Sequence, residues 1–376
     1  MSWENNVRKV IPYTAGEQPK GKVIKLNTNE CPYAPSPMVA TRIYDLAQQE
    51  LNGSSSMLRK YPDMDAAKLV NAIVKVYNDR YFSGDKNTGK NTQAEAGLNF
   101  DNVFTGVGSD DVLSMAFMTF FNSDKPVLFP DITYSFYDVW ADVHRIPYKV
   151  QPLTDDFSID IKDYLDKENG GIVIPNPNAP TGVYEDPSMF EEIVRNNPDS
   201  VVIIDEAYID FGGESCLPLI KKYDNVLVVQ TFSKSRSLAG LRIGTAFGCE
   251  KLIRYLKDVK FAFNSYTLNY PSIELATVAV LDTGYFDDTV AKVIKTREWT
   301  KEKLSELGFE FRNSKANFIF AKHKKVSADE IFTKLREKDI YVRHWNKPRI
   351  DNYLRISIGT DEDMKELVKA LKEIVS

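Results

Sequence analysis

The stretch "NVLVVQTFSKSRSLAGLRIGTAFG", residues 225–248, decides how the chain folds. It opens on the run "VLVVQ" (226–230) and closes on "IGTAFG" (243–248). Strands that are apolar on both faces are those of a sheet covered by helices on each side, and such sheets are largely parallel. Between the two runs stands Lys234, flanked by Ser233 and Ser235, with Arg236 and Arg242 close by. A surface lysine needs no such neighbourhood. A lysine nucleophile does, because its amine must be held at one point and kept partly deprotonated by nearby cations and reduced solvation.

Working outward, "NVFTG" (102–106), "KPVLFP" (125–130), "GIVIP" (171–175) and "SVVIID" (200–205) repeat the pattern of short two-faced apolar strands. Helical stretches lie between them. In "SDDVLSMAFMTFF" (109–121), Val112, Leu113, Ala116, Phe117 and Phe120 fall on one helical face. This alternation predicts an α/β domain with a central, mostly parallel sheet. From about residue 270 the pattern changes to a long helix (287–308), a strand pair (309–322), a helix (327–338), the strands "IYVRHW" (340–345) and "YLRISIG" (353–359), and a closing helix (361–374). The expected division is an arm over 1–35 that packs against the small domain or a partner subunit, a large domain over 36–268 and a smaller α+β domain over 269–376. Residues 84–99, "GDKNTGKNTQAEAGLN", read as a polar surface insertion without chemistry.

Composition narrows the function classes. With 376 residues, 43% hydrophobic and 27% charged, the chain suits a soluble globular protein of two domains. A net charge of −5 and the absence of a basic block argue against nucleic acid. No apolar run approaches a membrane span, and the first ten residues, "MSWENNVRKV", lack the apolar stretch of a signal peptide, so the expected compartment is the cytoplasm. Cys31, Cys216 and Cys249 are far apart, and His144, His323 and His344 show no ligand spacing, so neither a disulfide framework nor a metal site is expected.

Three strand ends carry the chemistry, since open α/β sheets bind ligands at the carboxyl ends of their strands. "VVIIDEAY" (201–208) ends a β-branched run in Asp205, "TFSKS" places Lys234 after the next strand, and "TGVGSDDVL" (105–113) supplies a tight turn and a helix N-terminus at Ser109 and Asp110. Taken singly, the acid reads as a turn residue and the serine as an ordinary helix cap. Together they specify a phosphate cradle, a carboxylate and a caged amine. Pyridoxal 5'-phosphate needs all three: an amine for its aldehyde, an acid for its ring nitrogen and donors for its phosphate.

The motifs "PNPNAPTG" (175–182), "DEAY" (205–208), "TFSKSRSLAGLRIG" (231–244) and "LRISIGT" (354–360) resemble, in kind and order, those of fold-type I aminotransferases. "VRKVIPYTAGE" (7–17), "LNTNECPYAPSP" (26–37) and "RKYPD" (59–63) resemble the histidinol-phosphate aminotransferase branch of that family. The resemblance runs from residue 7 to the last helix, interrupted only by 84–99. It implies that Lys234 forms the Schiff base with pyridoxal 5'-phosphate and shuttles the proton. It implies Asp205 on the pyridine nitrogen, Tyr208 on the ring hydroxyl and Tyr134 stacked on the ring. It places the phosphate on the N–H groups of Ser109 and Asp110 and on Thr231, Ser233 and Arg242, with Tyr61 reaching it from the other subunit of a homodimer. Where the family has asparagine before "PTG", this chain has Ala179, so the resemblance passes that contact on the ring hydroxyl to Asn178 or leaves Tyr208 alone.

The same resemblance assigns substrate contacts to Tyr13, Asn29, Arg343 and Arg355. Charge-assisted hydrogen bonds contribute roughly 1.5–3 kcal/mol each, so two arginines favour a phosphate ester over its alcohol by about two to four powers of ten. A guanidinium fork also accepts the carboxylate of glutamate. The implied reaction is transamination between L-histidinol phosphate and 2-oxoglutarate. An aromatic aminotransferase, a threonine-phosphate decarboxylase on the same scaffold and a non-catalytic regulator remain open at this point.

Overall fold

The computed structural model describes residues 3–14, 16–53, 55–83 and 97–376, so the expected insertion lies almost wholly outside the described residues. A short strand β1 (Ile24–Lys25) precedes seven strands of one sheet. These are β2 (Val103–Gly106), β3 (Val127–Pro130), β4 (Tyr148–Gln151), β5 (Gly171–Pro175), β6 (Val202–Asp205), β7 (Val226–Thr231) and β8 (Gly244–Phe247), in the order β2-β8-β7-β6-β5-β3-β4. Every pairing is parallel except those of β8, which runs antiparallel to both β2 and β7.

The two-faced apolar runs have the expected cause. Ile172, Ile174, Val202, Ile204, Val226 and Val228 pack under the helices Ala67–Tyr77, Pro187–Asn196 and Tyr270–Leu281. Their alternates Val173, Ile203, Leu227 and Val229 pack under Ser109–Phe120, Tyr137–His144 and Glu250–Phe263. Successive side chains point to opposite faces, so a strand covered twice must be apolar at every position. Each fully buried Ile, Leu or Val contributes roughly 1.5–3 kcal/mol. Edge strand β4, "YKVQ", carries no such run: three of its four residues are exposed, and the apolar-run criterion passes over it.

The second layer is a four-stranded antiparallel sheet in the order β12-β13-β10-β9, formed by β9 (Phe309–Phe311), β10 (Phe318–His323), β12 (Arg343–His344) and β13 (Leu354–Ser357). Strand β11 (Ile340–Tyr341) pairs instead with β1, so "IYVRHW" splits between two sheets and the arm is stitched into this layer. Helices Thr283–Glu306, Ala328–Glu337 and Asp361–Val375 cover it. The packing moves the expected boundary at 269. Helix Tyr270–Leu281 buries Ile273, Leu275, Ala276, Ala279 and Val280 with the large sheet, so the change of layer follows Leu281. Asp282 marks the junction, ending one helix and accepting a hydrogen bond from Tyr285 N at the start of the next.

Ile203→Ala should cost about 2–5 kcal/mol of unfolding free energy in urea titrations, because the side chain is wholly enclosed. Val150→Ala, on the exposed face of β4, should stay within about 0.5 kcal/mol.

Candidate active site

Strands β5 and β6 end in register, with Pro175 beside Asp205; Asp205 lies beside Val229, and β7 runs on to Thr231, which faces Gly244 of β8. A cavity of about 440 Å³ opens over these ends. It is lined by Tyr13, Asn29, Ser109, Asp110, Tyr134, Asp205, Tyr208, Thr231, Ser233, Lys234, Arg242, Arg343 and Arg355, thirteen of the fifteen residues expected from the sequence.

Asp205 is 4% exposed. Its Oδ2 accepts a hydrogen bond from Tyr137 Oη at 2.8 Å and its Oδ1 one from Ala207 N at 3.2 Å. Both partners are neutral. Burial therefore prevails over these bonds and pushes the carboxyl up to about 6. Nothing in "SFYDV" separates Tyr137 from a core tyrosine, which by burial it also is.

The anion cradle follows from two turns. Gly108, at φ +87°, caps the helix Ser109–Phe120 without a side-chain acceptor, and the first intrahelical bond runs from Val112 N to Gly108 O. The N–H groups of Ser109 and Asp110 come before it and are free of helical partners. A Cβ at Gly108 would strike the Arg242 guanidinium, and one at Gly244 would strike the Gly108 backbone, so both glycines keep the cradle open. Arg242 adopts the left-handed conformation, φ +55°, and its Nη1 reaches Ser233 Oγ at 3.3 Å, which lies 3.1 Å from Thr231 Oγ1. Its Nη2 is 3.5 Å from Asp110 Oδ2, and Asp110 Oδ1 accepts from Tyr134 Oη at 2.7 Å.

Lys234 is half-buried, with Nζ donating to the Thr28 carbonyl at 3.3 Å and lying 5.6 Å from the centre of the Tyr208 ring. Of the two cations expected near it, only Arg242 lines the cavity. Arg236 is buried between Phe232 and Phe286, its guanidinium carbon 5.2 and 4.2 Å from their centroids. Tyr208 Oη accepts from Asn29 Nδ2 at 3.0 Å. Asn29 itself is pinned by Ser357, through its N and its Oδ1, each at 2.9 Å.

Two expected residues stand elsewhere. Asn178 does not line the cavity: its Nδ2 donates to Ile132 O and Thr181 Oγ1, each at 2.9 Å, and its Oδ1 is buried without a partner. In this arrangement the Asn178 amide faces away from the cavity, which leaves Tyr208 there without it. The one-residue shift turns the amide into the loop, and Asn29 is the amide that meets Tyr208. Tyr61 is 81% exposed, stacks on Tyr266 at 4.6 Å and lies outside this chain's own cavity.

At the other side of the cavity, Arg343 of β12 and Arg355 of β13 are register partners. Arg343 Nη2 donates to Thr14 O at 3.4 Å, Arg355 Nη2 to Asn27 O at 2.9 Å, and Arg355 Nε is buried with no partner. Burial, with repulsion from Arg343, lowers the Arg355 pKa from its ordinary value. Tyr13 stacks on Phe136 at 4.2 Å beside them. His344 turns away, its Nε2 2.7 Å from Asp351 O.

The family model for class I and II aminotransferases matches residues 21–371. The chain belongs to this family. A histidinol-phosphate aminotransferase of Lactococcus lactis subsp. cremoris (strain SK11) is 49% identical to this aminotransferase over 374 residues, covering 99% of this chain and 98% of its own length. Among solved structures, the histidinol-phosphate aminotransferase from Sinorhizobium meliloti in complex with pyridoxal-5'-phosphate gives a TM-score of 0.80 at 21% identity, covering 94% of this chain and 90% of that one. The L-threonine-O-3-phosphate decarboxylase from Porphyromonas gingivalis gives 0.73 at 18% identity, covering 94% and 99%. Both share the fold of this aminotransferase, that of fold type I. No group of acids, histidines or cysteines able to hold a metal is found among the described residues, and none of their helices is long and apolar enough to cross a membrane.

The aminotransferase's cavity fits pyridoxal 5'-phosphate on its own chemistry. It offers a buried acid whose partners are all neutral, a cradle that two glycines hold open, and an amine between them. Behind the acid, Glu206 is 1% exposed and accepts from Ser215 Oγ at 2.6 Å, Cys216 N at 2.6 Å and Gln230 Nε2 at 2.8 Å. Burial pushes its carboxyl up to about 7.

A carboxyl raised by folding contributes stability that is complete below its unfolded pKa and lost as pH rises through the folded value. For Asp205 and Glu206 that window spans ordinary carboxylate values up to about 6 and about 7. Urea unfolding of the cofactor-free protein should therefore show stability falling from pH 5 to pH 8. Glu206→Gln should shrink that fall by about 2 kcal/mol; an unchanged fall would mean that Glu206 does not titrate there.

Proposed function

We propose that this aminotransferase transfers the amino group of L-histidinol phosphate to 2-oxoglutarate, giving imidazole-acetol phosphate and glutamate in histidine biosynthesis. The observation that carries the reading is the Arg343–Arg355 pair, two cations side by side in the cavity of a chain 49% identical, over nearly its whole length, to a histidinol-phosphate aminotransferase. The cofactor is pyridoxal 5'-phosphate. When bound, it supplies an aldehyde that takes up the amino group and a ring that draws electrons from the carbon bearing it.

The protein's part is positioning and proton transfer. Asp205 holds a proton on the ring nitrogen, a role supported by its burial and neutral partners. Tyr208 donates to the ring hydroxyl oxygen, oriented by the Asn29 amide. Ser109, Asp110, Thr231, Ser233 and Arg242 hold the cofactor's phosphate, and Tyr134 covers the ring. Lys234 Nζ takes the proton from the amine-bearing carbon of the donor, and the Thr28 carbonyl steadies it. Arg343, Arg355 and Tyr13 receive the substrate phosphate, and the same arginines receive a carboxylate of 2-oxoglutarate.

The enzyme acts as a cytoplasmic homodimer in which Tyr61 completes the phosphate site of the second copy. Its exposure supports this, as do the outward Met38, Ile43, Tyr44 and Leu51 of helix Pro37–Leu51.

Steady-state kinetics on a panel of amino donors test the assignment. Histidinol phosphate should exceed phenylalanine and tyrosine in kcat/KM by about two to four powers of ten. Equal rates would favour an aromatic aminotransferase, and carbon dioxide released from O-phosphothreonine would favour a decarboxylase. Lys234→Ala should abolish turnover and the visible cofactor band while leaving the far-ultraviolet circular dichroism unchanged. Arg355→Ala should raise KM in both half-reactions, by at least about tenfold each.

A further inference from the structure

Two features of the arginine pair call for a further residue. Arg343 and Arg355 face each other across β12 and β13, a placement in which like charges destabilise a sheet. Neither has a carboxylate partner among the described residues; they are held by the neutral carbonyls of Thr14 and Asn27. Something else must keep two repelling cations aligned without neutralising them.

Trp345 has the geometry for it. It lies two residues beyond Arg343, on the same side of the chain as a strand would place it. The guanidinium carbon of Arg343 is 5.4 Å from the centre of its ring, and that of Arg355 is 5.2 Å away. Arg355 also lies 5.4 Å from the Phe318 ring, so its guanidinium contacts two aromatic rings. The indole is fixed in turn, 6.4 Å from Phe320 and packed on the cluster of Ile132, Leu153 and Ile350, while still lining the cavity. Indole is the best cation–π acceptor among side chains. Its quadrupole attracts a cation and leaves the charge in place, whereas a carboxylate would cancel it.

We propose that Trp345 is the positioning residue of this anion site, holding Arg343 and Arg355 side by side so that together they select a doubly charged phosphate ester over a singly charged carboxylate. This rests on the phosphorylated-substrate reading above. A dianion relieves the repulsion between the cations, and a monocarboxylate relieves less of it. Trp345 touches no reacting atom, so its loss acts on binding.

The test compares holoenzyme of wild type, Trp345→Phe and Trp345→Leu. The dissociation constant of inorganic phosphate is measured by calorimetry, and kcat and KM are measured for histidinol phosphate and glutamate. Each cation–π contact is worth about two- to thirtyfold in affinity. Trp345→Leu should raise the phosphate dissociation constant and the KM of histidinol phosphate by about tenfold, with a smaller rise for glutamate and kcat within about threefold. Trp345→Phe, which keeps a weaker ring face, should fall between the two. Phosphate binding by Trp345→Leu equal to that of wild type overturns the proposal, as does Trp345→Phe binding no better than Trp345→Leu. Should the leucine variant not fold, Trp345→Phe decides against wild type alone: weaker phosphate binding supports the proposal and unchanged binding overturns it. The phosphate titration needs no amino donor, so failure of the wild type to use histidinol phosphate would refute the assigned reaction while leaving the Trp345 comparison valid.

Discussion

The site depends on an acid that the fold buries before anything has come to meet it. Asp205 sits at the end of the central strand of the large sheet, with only a tyrosine hydroxyl and a backbone amide for company. Enclosing a carboxyl this way is unfavourable in its charged form, and a cation brought against it would offset that cost. A ligand that met this acid would couple its binding to stability through one side chain, because whatever binds the folded form alone raises its stability by mass action. The parallel alignment of β5, β6 and β7 makes the coupling possible, because it delivers Asp205, Thr231 and the Lys234 loop to one edge.

Glu206 shows the same chemistry put to another use. Adjacent to Asp205, it points into the protein, where Ser215, Cys216 and Gln230 surround it. Gln230 in turn accepts from Tyr77 Oη at 2.8 Å, so the chain of bonds ties β7 to the covering helix Ala67–Tyr77. One acid faces the cavity and the next anchors the strand that presents it. Local cost at a functional site, compensated by the surroundings, is the usual pattern where stability and activity compete.

Much of this was legible in the sequence, and the gaps have physical causes. Runs such as "VVIID" and "VLVVQ" announce strands covered on both faces, and the residues that follow the apolar part of each run bring Asp205 and the Lys234 loop to the sheet edge. Strand β4 carries no apolar run because it lies at an exposed edge. Helix Tyr270–Leu281 is buried along most of its length, and pattern alone does not say which core encloses it; its packing does. The direction of the Asn178 amide is illegible in sequence because a shift of one residue in a turn reverses it, which only coordinates reveal. Thr28, which steadies the lysine, acts through a carbonyl that every residue possesses.

That last point reaches beyond one residue. The three cations Arg343, Lys234 and Arg355 are each held by a main-chain oxygen of the arm, at Thr14, Thr28 and Asn27. Such acceptors survive any exchange of side chain, so codon changes at 14, 27 and 28 leave them in place as long as the strand pairing of β1 with β11 fixes the path of the polypeptide. Vulnerability moves from chemistry to routing: a residue inserted or deleted between 14 and 24 would shift the Thr14 oxygen, and one inserted or deleted at 26 would shift those of Asn27 and Thr28.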